Sequence, residues 1–160
     1  MSLTIAELDL APVMERRARE LELAFPGQVT FVSGRRTLHE QAAAMAANHL
    51  LDPGGYLVRN YFHAAELLYD LTQHPDADTI EEVTEVFFQR LTANPDLVKS
   101  PHLTGDAVDL RRMEQSDGTP TVPGQAVIAW IQVCPDTVDF RMREGTLRRW
   151  HWQTAHSVEV

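Results

Sequence analysis

The sequence predicts an α+β fold, a small antiparallel sheet with helices packed on it. One domain is expected to span residues 1–160, with a helical insertion at about 54–95. Three observations lead there. A chain of 160 residues with 44% hydrophobic content suits one compact domain with its own core. Helical periodicity comes early in the chain, and the last strands follow each other closely enough to pair locally.

Asp9, with Pro12 in the next turn, reads as a helix start, after which Leu10, Val13, Met14, Leu21, Ala24 and Phe25 share one face. Pro26-Gly27 stops that helix. Gln28 to Ser33 reads as a short strand ended by Gly34, and Thr37 caps an alanine-rich helix running to about His49. Asp52-Pro53-Gly54-Gly55 is a break. Leu57, Tyr61, Ala64, Leu68 and Leu71 then repeat with helical spacing between Tyr56 and Thr72. Thr79 opens a further helix with Glu81 and Glu82 in its first turn, where acidic groups suit the helix dipole. Val83, Phe87 and Leu91 form its inner face, and Asn94-Pro95 ends it. Ala107 to Arg111 reads as a strand and Ser116 to Pro120 as a turn or loop. Pro123 starts a helix through Val133, and Thr137–Arg143 with Leu147–Gln153 form a terminal hairpin around Glu144-Gly145. The aromatic set Tyr61, Phe62, Tyr69, Phe87 and Phe88 reads as core packing.

Composition narrows the function. The formal net charge of −9 repels phosphate backbones, so no nucleic acid partner is expected. Cys134 is the single cysteine, so no internal disulfide forms and any metal site must use His and carboxylate. The first ten residues carry Glu7 and Asp9 and no basic run, unlike a secretory signal. No apolar stretch is long enough for a membrane span, and a soluble protein is expected.

One segment carries most of the chemistry, Ser100-Pro101-His102-Leu103-Thr104-Gly105-Asp106-Ala107-Val108-Asp109-Leu110. A loop His is followed, through a glycine turn, by a strand bearing Asp109. Alternation puts Asp109 and Ala107 on one face and Val108 and Leu110 on the core face. Ala107 leaves room beside Asp109, and Gly105 lets the chain double back so that His102 reaches the same point. In Arg149-Trp150-His151-Trp152-Gln153 the two tryptophans anchor the opposite face and leave the His151 imidazole in a cleft. Two imidazoles and a carboxylate with an open fourth position make a hydrolytic zinc arrangement, in which a water with a lowered pKa completes the shell. Ser33-Gly34-Arg35-Arg36-Thr37, with Gln41 four residues on, sets Arg36 at a strand-to-helix turn, where a guanidinium can hold a carboxylate or a developing oxyanion. Read without a metal, His102 and Asp109 are a loop His and a strand-edge Asp, and Arg36, Ser100 and Gln41 are ordinary surface or capping residues.

Three segments, in order over residues 28–153, resemble a known family. Ser33-Gly34-x-Arg36-Thr37-x-x-x-Gln41 is similar to a Ser-Gly-Tyr-Arg-Ser/Thr-x-x-x-Gln segment, and Ser100-x-His102-x-x-Gly105-x-Ala107-x-Asp109 to a Ser-x-His-x-x-Gly-x-Ala-x-Asp signature. Trp150-His151 resembles the end of a Glu-x-Trp-His segment. These belong to the zinc D-Ala-D-Ala carboxypeptidases and dipeptidases, the VanY/VanX-like peptidases, to which phage endolysins cutting L-Ala-D-Glu bonds are related. The resemblance implies zinc held by His102, Asp109 and His151, Arg36 stabilising the polarised scissile carbonyl, Ser100 lining the substrate site and Gln41 supporting the arginine loop. The implied substrate is a peptidoglycan-derived peptide. A chain made in the cytoplasm would then reach the cell wall through lysis, a phage particle or a leader.

The pattern is broken at one important place. The family's general base, a Glu three residues before the last His, is replaced by Arg148, and a guanidinium cannot accept a proton. Glu144, seven residues before His151, is the candidate base if the hairpin bulges. The alternative is a non-catalytic zinc- or ligand-binding relative, a pseudoenzyme or a phage or assembly component. His39, His49, His63, His74 and His156 read as surface or helix residues, His156 being the nearest rival ligand.

Overall fold

The computed structural model describes residues 2–53, 55–144 and 149–156, at Glu144 the backbone alone. The hairpin tip at Gly145 and Arg148 lie outside the described residues, as does the Glu144 side chain. The chain is α+β, and it divides into two compact units, residues 1–35 with 104–160 and residues 36–103.

The first unit is built on a four-stranded sheet. Its strands are β1 (Phe31–Ser33), β2 (Ala107–Leu110), β3 (Thr137–Glu144) and β4 (Arg149–Thr154), in the order β1-β2-β4-β3, every neighbour antiparallel. β2 is central and buried at all four positions, so it is a short uninterrupted run of Ala, Val, Asp and Leu. Val108 and Leu110 join Phe31, Trp150 and Trp152 in the core, as alternation requires. Three helices contribute to that core. Helix α1 (Ile5–Leu8) brings Ile5 and Leu8, α2 (Pro12–Ala24) brings Met14, Ala18 and Leu21, and a late helix over Val122–Val133 brings Val127 and Ile131.

Local chemistry explains where these helices begin. A reciprocal Thr4–Glu7 capping box starts α1. Asp9, expected to start the next helix, instead closes α1 in the left-handed conformation with φ 50°. The start of α2 is set by Pro12 at its first position, whose missing N–H needs no partner there. Cys134 is buried and free.

The second unit is helical. It contains α3 (Leu38–Leu51), α4 (Tyr56–Asn60), α5 (Ala64–Thr72), α6 (Ile80–Ala93), a 3₁₀ turn at Pro95–Leu97, and α7 (Pro101–Thr104), whose last residue passes the unit boundary. Thr37 caps α3 through a capping box with Glu40, and Thr79 caps α6. The core is Ala42, Met45 and Ala46 of α3 against Val83, Phe87 and Leu91 of α6, closed by Leu57 and Leu67.

The run from Tyr56 to Thr72 is broken. Tyr61 is extended, with φ −131° and ψ 129°. Its phenol accepts a hydrogen bond from Gln41 Nε2 at 3.3 Å and lies 3.3 Å from the Tyr56 hydroxyl, contacts that outweigh helical periodicity. The break moves Phe62 out of register to 95% exposure, and Tyr69 is 60% exposed. Of the five aromatics expected in the core, Phe87 is fully buried, while Tyr61 and Phe88 pack partly against it. No helix among the described residues is long and apolar enough to cross a membrane.

Candidate metal centre

Strand pairing positions two of the three expected ligands. In the β2–β4 ladder Asp109 lies directly opposite His151, flanked by the pairs Val108–Trp152 and Leu110–Trp150. Trp150 and Trp152 are fully buried on the core face. Each indole N–H has an acceptor, Trp150 donating to Glu114 Oε1 at 3.0 Å and Trp152 to Thr137 Oγ1 at 2.9 Å. Trp152 also meets Trp130 edge-on at 6.0 Å, and Trp150 meets Phe140 at 5.9 Å. These contacts lock β4, and the period of two turns His151 to the other face beside Asp109.

The third expected ligand comes from α7 rather than a loop. His102 is the second residue of that short helix and is 3% exposed. Its backbone N–H donates to Ser100 Oγ at 3.3 Å, and its carbonyl accepts the Arg36 N–H at 2.9 Å. Gly105 reverses the chain into β2 with φ 79°, and its carbonyl accepts the Ala11 N–H at 3.0 Å. A Cβ here would stand 2.7 Å from Ala11 N, so glycine is required both by conformation and by space.

His102, Asp109 and His151 each offer a donor atom, and these atoms lie within 4.8 Å of one another. All three residues are buried, at 3%, 2% and 5% exposure. His151 Nδ1 is 3.2 Å from Asp109 Oδ1. Two ligands of one tetrahedral zinc, each at about 2.0–2.2 Å, stand about 3.3–3.5 Å apart, so this spacing suits a shared ion. A buried carboxylate needs a cationic partner or a metal. The group can therefore hold a metal ion, through a nitrogen-rich donor set suited to first-row transition ions.

Arg36, Gln41 and Ser100 gather around the segment that carries His102. Beyond the backbone contacts of Arg36 and Ser100 just described, Arg36 Nη1 lies 3.4 Å from Gln41 Oε1, and the buried Gln41 continues to Tyr61. Glu144 is the last residue of β3, with its backbone opposite Arg149, two residues from His151 along β4. The ladder changes register between Arg141 and Glu144, the irregularity expected of a bulge.

Sequence reasoning missed a second His–Asp contact. Asp106, 5% exposed, accepts a hydrogen bond from the Thr104 hydroxyl through Oδ2 and lies 2.7 Å from His156 Nδ1 through the same oxygen. The His156 side chain is 65% exposed, and this pairing, not the metal group, accounts for its position. The local sequence shows only an Asp after Gly105 with a Thr two residues before it, and the His partner lies fifty residues on.

No family model, curated protein or solved structure matches this chain.

Proposed function

We propose that the chain is a zinc-dependent peptidase-like protein acting on peptidoglycan-derived peptides, of the D-Ala-D-Ala carboxypeptidase or endolysin type. The observation that carries this reading is the convergence of His102, Asp109 and His151, the three residues that the sequence motifs single out. It is supported by two hydrogen bonds at the His102 backbone, whose carbonyl accepts the Arg36 N–H and whose N–H donates to Ser100 Oγ, tying the other two motif residues to the His102 segment. A zinc ion held by His102, Asp109 and His151 would supply Lewis acidity and a water nucleophile at neutral pH.

The chain's own residues take the remaining roles. Arg36, hydrogen-bonded to Gln41, presents a guanidinium that steadies charge developing on a scissile carbonyl. Ser100 lines the peptide site and supports His102. Glu144 is assigned the role of receiving the proton from the attacking water.

Incubation with defined muropeptides and stoichiometric zinc, followed by mass analysis, tests the proposal. Loss of a terminal D-Ala or cleavage of an internal bond is expected, abolished in Glu144→Gln. Stoichiometric zinc without any cleavage removes the enzymatic claim.

A second reading is favoured by Arg148, which occupies the position where the resembled family has its base. On that reading the protein binds zinc or ligand without cutting. Arg148→Glu separates the two, since activity arising only in that variant identifies the natural chain as a pseudoenzyme.

A further inference from the structure

A cavity of about 590 Å³ opens in the first unit, with none of the motif residues in its lining. Arg111 and Arg112, which follow β2, line it together with Arg143 near the end of β3. Ser116 adds a hydroxyl, and Glu114 and Asp117 are the acidic groups in the wall. Three guanidiniums around one cavity stand out in a chain of net charge −9.

Their state of pairing is the telling feature. Most other described arginines sit on carboxylates, among them Arg17 on Asp136, Arg35 on Asp9, Arg59 on Asp52, Arg90 on Asp70 and Arg141 on Asp139. Among the described residues, Arg111, Arg112 and Arg143 have no such side-chain partner. The two acids in the wall accept hydrogen bonds from neutral groups rather than from these arginines. Glu114 accepts the Trp150 indole N–H, and Asp117 Oδ1 accepts both the backbone N–H and the hydroxyl of Thr119, which holds its carboxyl below the usual range. The wall is also fixed in place. Gln115 N–H donates to Thr119 O at 2.8 Å, Gly118 N–H to Gln115 O at 3.0 Å, and Arg111 N–H to Thr30 O at 2.9 Å.

We propose that this cavity is a binding site for a small ligand carrying carboxylate or phosphate groups. A guanidinium fork matches either group bidentately, and three forks suit a ligand with more than one anionic oxygen pair. The volume falls in the range of small-molecule sites. The acidic remainder of the surface argues against an extended polyanion such as nucleic acid. The proposal does not depend on the metal centre.

Titration calorimetry in about 0.15 M salt, where surface charge is largely screened, tests it with tricarballylate and inorganic phosphate as separate probes. Saturable 1:1 binding with a Kd below about 1 mM is expected for at least one, and which one binds names the anion class. Amide shifts of Gln115 and Gly118 should move with the same curve. Arg112→Gln and Arg143→Gln should each weaken binding several-fold, and the triple variant with Arg111→Gln at least about tenfold, with unchanged circular dichroism. Arg141→Gln, which removes an arginine already paired with Asp139, should leave the affinity as it was. No saturation by either probe up to about 20 mM, or equal affinity in folded Arg112→Gln and Arg143→Gln, overturns the proposal.

Discussion

Asp109→Asn is the sharpest perturbation of the metal centre. The substitution keeps the shape of the side chain and an oxygen toward His151, 3.2 Å away, but removes the negative charge that a divalent ion needs. With ligand residues only 2–5% exposed, water cannot readily replace the lost carboxylate. Zinc present at about 100 times its Kd stabilises the native state by about 2.7 kcal/mol. At about 2–4 °C per kcal/mol for a chain of this size, the wild type should melt about 5–11 °C higher with zinc than with a chelator. In Asp109→Asn that increment should fall below about 2 °C, while the two chelated proteins differ by only about 1 kcal/mol. Scanning calorimetry measures the increment, and equilibrium dialysis with elemental analysis should give one zinc per wild-type chain. An unchanged wild-type melting point in zinc, or a full increment in the variant, refutes the shared-ion argument.

Gly105→Ala should cost about 1–3 kcal/mol, since it strains a positive φ and drives a Cβ toward Ala11 N; a melting curve that stays in place would refute this. His49 is held below the ordinary histidine range by burial, which outweighs the raising influence of Asp52. The unfolded chain therefore takes up its proton first, so stability should fall as pH drops through the ordinary histidine range toward the lowered value. His49→Phe, against the Phe87 ring, should flatten that slope in melts at pH 7, 6 and 5. Asp70 is held below the usual carboxylate range by its two-point contact with Arg90. Its contribution is present above the ordinary carboxylate pKa and is lost as pH falls through the lowered value, so Asp70→Asn and the wild type should differ at pH 7 and converge in acid.

Much of the fold was legible because local signals and burial agreed. Thr37 with Glu40 and Thr79 with Glu82 announce α3 and α6 by side-chain chemistry alone. Val83, Phe87 and Leu91 lie on the face where helical spacing puts them. The Asp109–His151 juxtaposition was legible in part, since alternation predicts both faces; the register that places them opposite each other depends on long-range pairing. Tyr61 was misread because its partner, Gln41, lies twenty residues away and periodicity carries no trace of that bond. Asp9 was misread because a cap residue can end one helix as well as begin the next, and the short α1 before it is too small to show a period. The Asp106–His156 contact escaped because its residues are fifty apart in sequence and meet only when β4 lies alongside β2.

The packing of the tryptophans also gives the protein an optical property. All three indoles belong to one connected neighbourhood, Trp130 against Trp152, with Trp150 and Trp152 on either side of His151. Shielded from water in this way, Trp150 and Trp152 should emit at short wavelength and respond in concert to any rearrangement of β4. The native chain therefore supplies its own fluorescence readout for testing ion uptake at His151, with no dye or tag attached.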